Sequence, residues 1–309
     1  MRLAGVAAAL EIGGTHVSSG LVAMDRSLVL PRTMARSDFA PNATRDELLG
    51  AIVGAAKRLA RADVRRLGVA TPGPFDYERG VSRIRGVAKL DALYGVDLRS
   101  ELSSAVALEP KNVSFLNDAS AFLIGEWWAG AARRHDRAIG VTLGTGLGSA
   151  FMERGEIVET DPRVPPEGRF DLVPFRGGAV EDVLSSRAVR AAYGDAGADV
   201  VEIASRARAG EARATSVFRS FGGALGEFLA PWLGRFEPSS LVMGGSIARS
   251  WDLWSDEFRA ACAPARELAS CGVAEHLDEA ALLGAAYDSA RRSVYASPLW
   301  VNRWRASRG

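Results

Sequence analysis

The chain has 309 residues, 48% of them hydrophobic and 24% charged, an ordinary globular balance with length enough for two domains. Its formal net charge of +1 gives no electrostatic ground for a nucleic acid or an acidic membrane as partner. No apolar run reaches the roughly 18 residues a membrane helix needs, and Met1-Arg2 leads directly into an apolar strand without a signal peptide. A cytoplasmic protein is expected. Cys262 and Cys271 form neither a disulfide framework nor a metal spacing.

In chain order, residues 6–12, 17–24 and 28–33 read as a small β-meander. Thr44-Arg45-Asp46-Glu47 is a capping-box signature that starts a helix running to about Leu59. A buried-type strand, Leu67 to Ala70, ends at the stiff turn Thr71-Pro72-Gly73-Pro74. A helix over Leu98 to Val106 and a short strand over Val113 to Leu116 lead to Asn117-Asp118 and a further helix. Next come a strand from Ala138 to Leu143, a hairpin at Arg154-Gly155, and a Pro-, Gly- and charge-rich loop over 160–178. Helices are expected near 179–192, 198–208 and 212–230, a strand at Leu241 to Met243, and a helix from Ala280 to Arg292. The lobes are placed at 1–117 and 118–309, with the helix at about 280–294 a candidate to pack back on the first.

One layout occurs twice. Leu10-Glu11-Ile12-Gly13-Gly14-Thr15 and Val141-Thr142-Leu143-Gly144-Thr145-Gly146 each carry an apolar strand into a Gly/Thr turn, and a second strand leaves it. Glycine lets backbone N–H groups approach an anion, and the threonine hydroxyl adds a donor. A single turn of this kind is usually no more than a tight turn; two in equivalent settings read as jaws for a polyphosphate. Other nucleotide signatures are absent: no lysine follows a glycine, so there is no P-loop, and both turns open strands where the dinucleotide fingerprint needs a helix.

Phosphoryl transfer to an alcohol needs in-line positioning, charge neutralisation by a metal ion, and a carboxylate to take the hydroxyl proton. Asn117-Asp118, between the two turns, supplies the carboxylate. Alone the pair would read as a helix N-cap; in this position Asp118 is the candidate base and Asn117 a holder of a neighbouring substrate hydroxyl.

Glu11-Ile12-Gly13-Gly14-Thr15, Thr71-Pro72-Gly73-Pro74, Asn117-Asp118-Ala119, Leu143 to Gly148 and Met243-Gly244-Gly245-Ser246 together resemble the ordered motifs of the ROK family, over roughly residues 6–290. The resemblance implies an α/β, two-lobed actin-like ATPase (ribonuclease H-like) fold with a central cleft. It implies a Mg-ATP-dependent kinase for the primary hydroxyl of a hexose or hexose-like polyol. Gly13, Gly14 and Thr15 match the first phosphate loop, Gly144, Thr145 and Gly146 the second, Gly244 and Gly245 the adenosine-side loop, and Asp118 the base. Glu11 stands where the family usually has Asp and would face Mg²⁺ through water.

Other departures concern the acceptor and a structural metal. The family's zinc motif falls at Pro165 to Glu181, a segment without Cys or His, so no structural zinc is expected. Glu181 occupies the place of the motif's closing, sugar-contacting Glu. Arg169, near Glu167, stands in the region of a sugar-contacting His. Lys89 replaces an Asn that helps hold the sugar, and it either faces the acceptor or points to solvent. These changes argue for an altered polyol, such as an amino-hexose of kanosamine type or a C7-cyclitol, over plain glucose. A sugar-responsive regulator of the family would need a DNA-binding module, and only ten residues precede Glu11. A silent sugar sensor is disfavoured by retention of Asp118 and both loops. Trp127-Trp128 reads as core or as a subunit contact, with a homodimer left open.

Overall fold

The run Val6–Ile12 is buried almost throughout, as suits a strand covered on both faces. In the computed structural model, which describes residues 5–40, 42–85, 88–195, 197–263 and 268–295, with the side chains of 88–89 and 293–295 excepted, this strand is the middle of a six-stranded sheet. The chain divides into two units, 1–129 with 278–309, and 130–277.

The first unit contains β1 (Val6–Ile12), β2 (His16–Ala23), β3 (Leu28–Val29), β4 (Ala35–Asp38), α1 (Arg45–Lys57), β5 (Val64–Thr71), β6 (Phe75–Asp76), β7 (Val81–Ser82), α2 (Leu98–Ala105), β8 (Val113–Asn117) and α3 (Asp118–Ala129). Its sheet runs β3-β2-β1-β5-β8, with β4 also pairing β2. The β1–β2 pair is antiparallel, whereas β1–β5 and β5–β8 are parallel. Helix α1 starts where its signature places it: Thr44 accepts from Glu47 N–H while the Glu47 carboxylate accepts from Thr44 N–H at 2.7 Å.

The second unit contains β9 (Arg137–Leu143), β10 (Leu147–Glu153), β11 (Glu156–Ile157), β12 (Pro174–Phe175), β13 (Gly178–Ala179), α4 (Ser186–Tyr193), α5 (Val200–Arg208), α6 (Ala212–Phe236), β14 (Ser240–Gly244), α7 (Ser255–Cys262) and β15 (Ser270–Val273). Its main sheet runs β11-β10-β9-β14-β15. Here too the hairpin β9–β10 is antiparallel, and β14 runs parallel to both β9 and β15. The two sheets therefore share one plan, and the two Gly/Thr turns occupy the same place in it, between the first and second strands.

Several elements differ from the sequence reading. The strand expected over 28–33 stops at Val29, and a separate strand, β4, pairs with β2 instead. Helix α6 continues through Pro231 to Phe236. Proline removes one backbone hydrogen bond, but the buried stripe of Phe228, Leu229, Leu233 and Phe236 runs past it and outweighs that loss. The helix placed near 179–192 begins only at Ser186, because Ser185 accepts from Ala188 N–H and caps it there.

The last described helix, α8 (Ala280–Tyr295), lies in the first unit against α3, β5 and β1. Helix α3, which the sequence reading grouped with the second lobe, is in the first unit as well. Glycines set how closely these elements approach. A Cβ at Gly284 would lie 1.8 Å from the Ala121 carbonyl oxygen, and one at Gly125 would lie 2.0 Å from that of Ala280. Both obstacles are backbone, so neither can swing aside. Gly284→Ala is expected to destabilise the protein by about 3 kcal/mol through overpacking, read as a lowered denaturant midpoint. A midpoint equal to wild type would mean that the two helices can separate freely.

Candidate active site

Open α/β sheets bind ligands outside the carboxyl ends of their strands. In the first unit those ends carry Glu11 with Gly13-Gly14-Thr15 on β1, Thr71-Pro72-Gly73-Pro74 on β5, and Asn117-Asp118 on β8. Register brings them level: Glu11 sits opposite Ala70, and Thr71 opposite Asn117. The first turn closes through Gly13 N–H donating to the His16 carbonyl at 2.8 Å, and Gly14 and Thr15 stand exposed. The His16 ring lies over Gly13, 3.0 Å from where a Cβ would stand, with Nδ1 3.3 Å from Thr15 Oγ1. Burial, and next the Arg36 charge, push the His16 pKa down, against Asp38 and Asp278, which favours the neutral ring.

Glu11 is the most perturbed carboxyl here. Burial, reinforced by the charge of Asp118, pushes its pKa up to about 7; Asp278 adds to the rise and Arg36 opposes it. Three carboxylates thus share one region of electrostatic influence, with one guanidinium set against them.

Asn117 and Asp118 divide their roles. Asn117 Oδ1 accepts from Ala119 N–H at 3.0 Å and Ser120 N–H at 3.2 Å, which makes Asn117 the cap of α3. Its Nδ2 donates to the Tyr77 hydroxyl at 3.4 Å, and that hydroxyl donates to the Thr71 carbonyl at 3.2 Å. Asp118 is then the first helical residue, with Oδ1 2.9 Å from Ala119 N.

In the second unit, Gly144 N–H donates to the Gly146 carbonyl at 3.0 Å, closing the second turn with Thr145 exposed at its tip. The Glu181 carboxylate accepts from Leu147 N–H at 3.0 Å. On β14, Gly244 leads into Gly245 with φ at +85°, where a Cβ would lie 2.3 Å from the Leu143 carbonyl oxygen. Only glycine meets both conditions.

The matching family model covers residues 7–290 and is that of the ROK family. The chain belongs to the ROK family. It is 27% identical to a glucokinase of Thermotoga maritima over 82% of this chain and 84% of that protein. It is 26% identical to an N-acetyl-D-glucosamine kinase of Pectobacterium carotovorum over 77% of this chain and 83% of that protein. Its fold matches the crystal structure of a ROK family glucokinase from Streptomyces griseus in complex with glucose and AMPPNP. There the TM-score is 0.75 and the identity 26%, over 93% of this chain and all of that one. The α/β ROK fold expected from the motifs is the fold this chain has, with one main sheet in each unit.

One acceptor-side residue of this ROK chain stands differently from the expectation. In the region of the family's sugar-contacting His, Arg169 is expected to offer donors to the acceptor. Instead its guanidinium binds Asp171 at 2.5 and 3.1 Å and reaches Glu167 at 3.4 Å, so its charge is answered within its own loop. Glu167 itself has φ at +56° and an exposed side chain. The Lys89 side chain lies outside the described residues. Sequence reasoning missed Tyr77, Arg36, Asp278 and Ser186. Tyr77 and Ser186 hydrogen-bond to site residues, whereas Arg36 and Asp278 act on Glu11 through charge; Tyr77 lies three residues past Pro74 and Ser186 five past Glu181.

Proposed function

We propose that this ROK chain is an ATP-dependent sugar kinase that transfers the γ-phosphoryl group to the primary hydroxyl of a hexose or hexose-like polyol. The observation that carries the reading is Asp118: a carboxylate at the start of α3, level with the first glycine turn and electrostatically coupled to Glu11. Asp118 takes the proton of the acceptor hydroxyl as the oxygen–phosphorus bond forms. Gly14 and Thr15 of the first turn, and Thr145 and Gly146 of the second, offer N–H and hydroxyl donors to phosphate, while the Gly13 and Gly144 N–H groups close the turns. Gly244 and Gly245 leave room for the adenosine side.

Mg²⁺ would neutralise charge on the transferring phosphoryl group. The donor chemistry fits: a hard carboxylate, Glu11, is held up in pKa by burial and acidic neighbours, a condition that one cation relieves. Glu11 would act through water. Asn117, Glu167 and Glu181 are the acceptor-side candidates; Asn117 has committed Oδ1 to the helix and one amide N–H to Tyr77, which leaves its other amide N–H for a ligand.

The segment 160–178 is anchored by packing and ion pairs. Phe170 is buried against Phe151 and Phe228, with its N–H on Ser149 Oγ at 2.8 Å. Arg163 joins Asp161 to Glu153, each at 2.9 Å.

An ADP-coupled assay over glucose, mannose, N-acetylglucosamine, kanosamine and cyclitols tests the reading. At least one hexose-type acceptor is expected to give product that depends on both ATP and Mg²⁺. Glucose as best acceptor would place the chain with glucokinases; an amino-hexose or cyclitol would support an altered pocket. No turnover from any acceptor by folded protein overturns the kinase reading.

A further inference from the structure

The second glycine turn is gripped at both ends by one short segment, 181–186. At one end Ser186 donates to the Gly144 carbonyl twice, from its N–H at 2.7 Å and its hydroxyl at 2.8 Å. At the other end Glu181 Oε1 accepts from Leu147 N–H at 3.0 Å. Ser185 fixes the backbone between them, donating to the Glu181 carbonyl at 2.6 Å while its oxygen caps α4. The contact is close enough that a Cβ on Gly146 would lie 2.3 Å from Glu181 Oε1. Among the described residues Glu181 Oε2 makes no hydrogen bond. A carboxylate accepts from several donors at once, so Glu181 can hold the turn with one oxygen and a ligand hydroxyl with the other.

We propose that Glu181 is a positioning residue that couples the two substrates, an acceptor hydroxyl on Oε2 tightening nucleotide binding at the Gly144–Gly146 turn. This rests on the kinase reading above. An ionised carboxylate beside a phosphate-binding turn repels the triphosphate. A hydroxyl donated to Oε2 disperses that charge and holds the carboxylate in the position that keeps Leu147, and so the turn, in place. By linkage the nucleotide tightens acceptor binding by the same factor.

The test measures the Kd of AMPPNP by calorimetry with and without a saturating concentration of the best acceptor from the panel. In wild type the acceptor is expected to lower that Kd at least ~5-fold. Glu181→Gln, which keeps shape but loses charge, should bind AMPPNP more tightly without acceptor and show less than ~2-fold coupling. Gly146→Ala displaces the carboxylate by its flexible end, at a residue without positive φ, and should also lose the coupling. Matched thermal midpoints show that both variants are folded; if Gly146→Ala fails to bind AMPPNP, Glu181→Gln decides alone. Full coupling retained in Glu181→Gln, or none in wild type, overturns the proposal while the kinase reading stands. A panel without turnover overturns both.

Discussion

Asp118→Asn is expected to lower kcat by about 10²–10⁴-fold, the usual worth of a general base, while the acceptor's Kd stays within a few-fold of wild type. The substitution is nearly isosteric. The helix does not depend on the Asp118 charge, because Asn117 Oδ1 already serves both Ala119 N–H and Ser120 N–H. What the variant removes is the ability to accept a proton while the hydroxyl attacks. It also removes one of the charges that raise the Glu11 pKa, so Glu11 should ionise at lower pH in the variant. Kinetics, calorimetric acceptor binding and thermal melts over a pH series on the same preparation check the three parts. A kcat near wild type, with folding intact, would reduce Asp118 to an ordinary first residue of α3.

The parts of this molecule that could be read in advance are those whose physics is local. The Gly/Thr turns, the Thr44–Glu47 capping box and the strand ends at Thr71 and Asn117 each lie within a few residues, and a backbone turn or cap is decided at that range. The parts that escaped are tertiary. Glu181 meets Leu147 from 34 residues away, and Asn117 meets Tyr77 across 40. Nothing in either segment announces its partner. Strand β15 was missed because Ser270–Val273 is short and only partly buried at every position, leaving no alternation to read. Pro231 misled in the opposite sense: its local penalty is real, but the buried face of α6 carries the helix on to Phe236. Arg169 is an exception, since the partner of its guanidinium, Asp171, is only two residues on. The tail, Pro298 to Gly309, lies outside the described residues.

Glu11→Gln is expected to stabilise the ligand-free protein at pH 8 and to disable it as an enzyme. Glu11 has its pKa pushed up to about 7 by burial and then by Asp118, against an ordinary value of 4.5. Between those two values the folded protein binds more protons than the unfolded chain, so stability falls as pH rises through that interval. Above it the whole penalty of an ionised, crowded Glu11 is present, on the order of 1–3 kcal/mol once its partial exposure is allowed for. Glutamine carries no such penalty. The variant's denaturant midpoint should therefore exceed wild type at pH 8, and the gap should close towards pH 4.5, where the wild-type carboxyl is neutral as well. Turnover should move the other way, falling about 10²–10³-fold, the scale for losing one group aimed at developing charge. Glu11→Asp keeps the charge with a shorter arm and should retain far more activity than Glu11→Gln. If Glu11→Gln matched wild type in stability at pH 8, the carboxyl would not be under strain in the ligand-free protein. If it also kept its turnover, the candidate metal position would have to be sought at another carboxylate of the same strand ends, with Asp118 the first to try.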